Sequence, residues 1–256
     1  MSPLSAPADP KWLAREAGPA IWFHPNISPS TDSRYLGSAE TATAFRDADL
    51  WGRAVAACDV IGVYVQPARE TPTGTDGYLT NVVRMANSYR KDISIEVAGP
   101  RGIASYPTGA ASAADDLATI GYIVALGGTV NWLSMDQPLI RVVDGLGQTV
   151  AQAIDQIVEY IQTIHAVYPA IKIGLIEPVV MYEYNGVHRY SAGAQGIDFK
   201  TAFADLLTDL VAASETLGFL TGALAYEYME GIIASSFSEA DIWLARARLM
   251  QIEAVA

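Results

Sequence analysis

Four acidic residues close short apolar runs that lie far apart in the chain: Glu96 in ISIEVA, Asp136 in VNWLSMDQPL, Glu177 in IKIGLIE and Glu227 in GALAYEY. A carboxylate at the end of a run suited to a protein interior is costly unless it is paired or used, and lysine and arginine are sparse around these runs. Two such groups facing each other, one protonated and one ionised, are the minimal equipment for hydrolysing a glycosidic bond. One protonates the leaving oxygen while the other attacks the anomeric carbon or activates a water. Nearby stretches supply the amides, imidazoles and aromatic faces that sugars bind: Trp22, His24 and Asn26 in AIWFHPN, Tyr64 and Gln66 in VIGVYVQ, Trp132 and Gln137 around Asp136, and Tyr182 and His188 in MYEYNGVHRYS. His165 falls in a helical stretch and reads as structural.

These residues need strands to carry them. From about residue 19 a single rhythm repeats: an apolar strand, a loop rich in Gly and Pro, an amphipathic helix, a tight turn. Strands are expected at Ala20–His24, Val60–Gln66, Ile93–Ala98, Val130–Asp136, Ile171–Glu177 and Gly222–Tyr228, with EGIIASSF as a short seventh. Alternate residues face opposite sides of a strand. If Ile93, Ile95 and Val97 face the helices, Ser94 and Glu96 face the other way, and the same rule groups Trp22, His24 and Asn26 with Tyr64, Gln66, Trp132, Ser134 and Asp136. Glu177 and Glu227 fall at or near the last position of that face.

Helical periodicity marks one stripe at Val150, Ala153, Ile154, Ile157, Val158, Ile161 and Ile164, and another at Phe199, Phe203, Leu206, Leu207, Leu210 and Val211. A last helix is expected from SFSEAD, capped by Ser238, and Trp51 and Trp243 fall inside helices as core residues. Loops entering strands are short, while those leaving them are long, as in PARETPTGTDG, GPRGIASYPTGA, QPLIRVVDGLGQ and PVVMYEYNGVHRYSAGAQGI. The carboxyl ends of the strands therefore carry the elaborated face, where α/β folds place their sites. The expected fold is a (β/α) TIM-type barrel, atypical or incomplete, spanning 1–256 as a single domain, with 1–18 as an N-terminal helical extension.

Composition narrows the classes. With 256 residues, 51% of them hydrophobic, the chain can bury a sizeable core. A formal charge of −12 leaves no basic face for nucleic acid. The single cysteine, Cys58, forms no internal disulfide and reads as a small buried hydrophobe. No window approaches the roughly 18 apolar residues of a membrane span, and the N-terminus lacks the pattern of a signal peptide. A soluble, cytoplasmic protein is expected, with export by another route or a larger parent chain left open. DGLGQ and TGTDG are too short and wrongly placed for dinucleotide or phosphate loops, and no cofactor is expected.

The pattern as a whole resembles the (β/α) barrel glycoside hydrolases. The opening WFHPN, with ADLWGRAV leading into DVIGVYVQ, looks like barrel glycosidase-like proteins of bacteria. The resemblance implies an acid/base after the fourth strand, where Asp136 stands, and a nucleophile after the seventh, for which Glu227 and Glu177 are the candidates. Two other readings use the same residues. Glu96, Asp136, Glu177 and Glu227 with His24 or His188 would suit a divalent cation in a xylose-isomerase-like sugar isomerase or epimerase. Alternatively, an open barrel could bind glycans without catalysis, its apolar edge covered by a second copy or a further domain.

Overall fold

A computed structural model describes residues 21–24, 45–65, 77–101, 105–176, 196–215 and 217–221, with backbone alone for 48–50, 199–200 and 217–221. Within them strands and helices alternate: β1 (Trp22–Phe23), α1 (Ala48–Ala57), β2 (Val60–Tyr64), α2 (Tyr78–Tyr89), β3 (Asp92–Val97), α3 (Gly109–Ala125), β4 (Val130–Asp136), α4 (Pro138–Ile140), a π-helical turn (Arg141–Gly145), α5 (Val150–Val167), β5 (Lys172–Ile176), α6 (Phe199–Ala212) and β6 (Leu217–Thr221). The strands hydrogen-bond in chain order from β1 to β6. The pairs β1–β2, β2–β3 and β5–β6 are parallel. No helix among the described residues is long and apolar enough to cross a membrane.

The chain divides into two compact units, 1–97 with 116–133, and 98–115 with 134–256. The division runs through α3 and β4 rather than through a linker. In the first unit β2 and β3 pair in register from Val60 and Asp92 to Tyr64 and Glu96. Paired residues of parallel strands share a face, so Ile61 and Val63 lie with Ile93 and Ile95, all four at most 1% exposed. Leu79, Val82 and Met85 of α2 are buried as completely. Around the end of β1, Phe23, Phe45 and Trp51 form an aromatic cluster, with Phe45 and Trp51 ring centroids 4.7 Å apart.

In the second unit α5 begins with a reciprocal cap. The Thr149 hydroxyl accepts the Gln152 amide, and the Gln152 side chain accepts the Thr149 amide, which satisfies two of the donors that a helix start leaves open. Its buried stripe is Ala153, Ile154, Ile157, Tyr160, Ile161 and Ile164, and α6 buries Phe203, Leu206, Leu207 and Leu210. Gly109, at the start of α3, is buried directly against the backbone of α5. A β-carbon there would fall on the Gln156 carbonyl oxygen and stand 2.8 Å from the Tyr160 nitrogen.

Several expectations shift. Val130–Asp136 is a strand over its expected range, and the other early strands start or stop within a few residues of theirs. The sixth described strand is Leu217–Thr221, upstream of the expected 222–228, which lies outside the described residues. It carries an irregularity against β5: Ile173 pairs with Leu217 but Gly174 with Phe219. This extra residue breaks the two-residue alternation by which strands are recognised. The segment QPLIRVVDGLGQ is not a plain loop, because Pro138 opens a helical turn, where its missing amide costs nothing. Val211 is 74% exposed and leaves the α6 stripe. The 1–18 extension, the seventh strand, Trp243 and the helix at Ser238 lie outside the described residues. What is established is an α/β fold with parallel strand pairs.

Candidate functional site

The face of β1, β2 and β3 opposite the buried aliphatics is built in levels. At the level of the strand starts Trp22 aligns with Val60, and Val60 with Asp92. The Trp22 and Trp132 rings meet edge to face, with centroids 5.3 Å apart, and Trp132 Nε1 donates to Asp92 Oδ2 at 3.1 Å. The expected candidates Trp22 and Trp132 thus form a floor below the strand ends. Asp92, not singled out from the sequence, holds one of them in place.

Nearer the carboxyl ends the chemistry changes. Gly62 pairs with Ser94 and Tyr64 with Glu96, and His24 lies over Gly62, where a β-carbon would stand 2.7 Å from His24 Cγ. Only a glycine leaves room for the ring there. His24 then stacks on Tyr64, with centroids 4.1 Å apart and planes 30° from parallel, and its Nδ1 lies 3.3 Å from Glu96 Oε2. The two side chains are 24% and 21% exposed, yet His24 Nε2 itself is buried and has no hydrogen-bond partner among the described residues. Burial pushes the imidazole down to about 4, so the ring is neutral near pH 7. The tautomer that carries its hydrogen on Nδ1 meets the Glu96 carboxylate, which leaves a bare lone pair on Nε2.

In the second unit Asp136 ends β4. Its Oδ2 lies 3.3 Å from Arg141 Nη2, while its Oδ1 is buried with no hydrogen-bond partner among the described residues. Burial raises the pKa of the carboxyl above the ordinary aspartate value, and the Arg141 charge, with hydrogen bonds from Gln137 and Arg141, opposes the rise. Gln137, the next residue, adopts a left-handed backbone at φ 50°, ψ 46°, a strained choice for a residue with a side chain. Its amide donates to the Ile176 carbonyl at 2.8 Å and its carbonyl accepts the Arg141 amide at 2.9 Å. The strain turns β4 sharply into α4, and that turn brings Arg141 back to Asp136.

Of the expected site residues, Trp22, His24, Tyr64, Glu96 and Trp132 share one face of the first unit, and Asp136 and Gln137 share one turn of the second. Asn26, Gln66, Glu177, Tyr182, His188 and Glu227 lie outside the described residues. Gly62 and Arg141 are additions. The glycine in VIGVY, flanked by β-branched residues, was the available signal for a close approach. No group of three His, Cys, Asp or Glu side chains able to hold a metal occurs among the described residues.

No known protein family matches the chain, and no curated protein does. A solved structure, that of N2152 from Neocallimastix frontalis, is similar at a TM-score of 0.47 with 11% identity, over 78% of this chain and 42% of that one. The chain thus spans less than half the length of that protein.

Proposed function

We propose that the chain is a (β/α) barrel glycoside hydrolase acting on carbohydrate at the carboxyl ends of its strands, with Asp136 as the proton donor. The observation that carries this reading is the Asp136 carboxyl at the end of β4, with a buried oxygen that has no hydrogen-bond partner among the described residues and burial favouring its protonated form. A glycosidase needs such a group beside a second, ionised carboxylate, for which Glu177 and Glu227 are the candidates. Glu96 is assigned instead to holding His24. The barrel is supported by the contact between Trp22 and Trp132. Strands are spaced about 4.8 Å, so β1 and β4 would stand roughly 14 Å apart across β2 and β3 in a flat sheet. Rings 5.3 Å apart favour a sheet curled toward that face.

A second reading, a carbohydrate-binding barrel without hydrolysis, is favoured by Arg141. An aspartate beside an arginine is also an ordinary structural pair. Assay of a panel of p-nitrophenyl glycosides and oligosaccharides separates the two. Turnover of at least one substrate, lost in Asp136→Asn with the fold retained, supports hydrolysis. Binding without turnover leaves the second reading, and chelator-sensitive isomerisation of a free aldose, without glycoside cleavage, points to the metal-dependent isomerase class.

A further inference from the structure

We infer that His24 is a hydrogen-bond acceptor for a sugar hydroxyl, held by Glu96 as the Nδ1–H tautomer so that Nε2 is offered to the ligand. This rests on the carbohydrate part of the proposed function and not on hydrolysis. Three contacts hold the ring: the missing side chain of Gly62 beneath it, the stacked Tyr64 and the Glu96 carboxylate at Nδ1. A histidine that merely fills space does not need all three. The constrained ring nevertheless leaves Nε2 buried without a partner among the described residues, and an unsatisfied buried polar atom is destabilising. Native structures retain few such atoms without a use.

The chemistry of the lone pair narrows the ligand. Burial keeps the imidazole neutral near pH 7, down at about 4, and with the hydrogen held on Nδ1 by Glu96 Nε2 accepts and does not donate. A carboxylate or phosphate oxygen brings a second lone pair and is repelled, whereas a hydroxyl donates its hydrogen. A divalent cation would use the same lone pair through a carboxylate-supported histidine, but a metal site needs further ligands, and none gather among the described residues. Glu96 is in this account a positioning residue. Its work is to choose which nitrogen carries the hydrogen.

The test is a long-range 15N–1H spectrum of the imidazoles. The chain has three histidines, so the His24 signals are those missing from His24→Gln, or, if that variant does not fold, those left after His165→Gln and His188→Gln. Near pH 7 the free protein should show His24 with Nδ1 protonated and Nε2 bare, and Glu96→Ala should mix the tautomers. Titration with D-glucose, D-galactose, D-xylose and their methyl glycosides should move the Nε2 resonance with at least one probe. Glu96→Ala should weaken that probe by up to about tenfold, the share of one hydrogen bond. A protonated Nε2 in the free protein, no response to any sugar, or a response to zinc chloride alone overturns the inference. A sugar response in a protein that cleaves no glycoside sustains it while removing the proposed hydrolysis.

Discussion

Gly62 lies beneath the imidazole of His24, so close that a β-carbon on the glycine would stand 2.7 Å from His24 Cγ. The placement of the histidine, its stack on Tyr64 and its approach to Glu96 all follow from that empty position. Gly62→Ala should therefore push the ring away from Glu96 and cost on the order of 1–3 kcal/mol of overpacking. A thermal melt with the histidine spectrum checks it. An unchanged melt with unchanged His24 signals would remove Gly62 from the site.

His24 should make stability depend on pH. Its imidazole is pushed from 6.5 down to about 4 by burial, so between those values the unfolded chain binds more protons than the folded one. Stability contributed by the neutral ring is full above about 6.5 and is lost as pH falls toward 4. The loss is at most about 3 kcal/mol. Urea midpoints measured across this range should fall in the wild type and flatten in His24→Gln, and parallel curves for the two would contradict the burial of the ring.

Asp136 should act with the opposite sign. Burial raises its pKa in the folded state, so the folded protein holds the proton longer and stability declines as pH rises above the unfolded aspartate value. Asp136→Asn should lose that decline and be at least as stable as the wild type at neutral pH. Glycoside turnover, by contrast, should fall by about 10²–10⁴-fold. A variant with full activity would end the assignment of the proton donor.

Cys58 is buried, and burial pushes its thiol up to about 11, with the Asp59 charge adding and the Lys91 charge opposing. Only the thiolate attacks thiol reagents. Ellman's reagent should therefore react with the native protein slowly and with the urea-unfolded protein at once. Rapid native labelling would show that the segment between α1 and β2 opens.

The two-residue alternation of ISIEV was legible because Ile93, Ile95 and Val97 are buried on one face while Glu96 remains half-buried on the other. The same rule placed Trp132 and Asp136 one strand on. It failed at β6, where the irregular pairing around Gly218 breaks the alternation. The Asp136–Arg141 pair was hidden for a different reason. Reading the residues after Pro138 as a loop gave Arg141 no fixed direction, whereas the left-handed Gln137 and the helical turn return it to the strand end. The cap on α5 was readable in TVAQ, since Thr and Gln three apart are its signature. Alternation alone does not separate levels within a face, and Trp22 and Trp132 lie lower in the sheet than His24.

At position 109 the chain has closed one route of change. The first residue of α3 meets α5 main chain to main chain, at the Gln156 carbonyl and the Tyr160 nitrogen. A neighbouring side chain that is too large can be traded for a smaller one, but a peptide group cannot be trimmed. Substitutions at Trp22 or Tyr64 can be rescued by compensating mutations around them. One at Gly109 could be accommodated only by moving a whole helix, so position 109 should stay glycine as descendants of this sequence diverge, even where the aromatic residues are replaced.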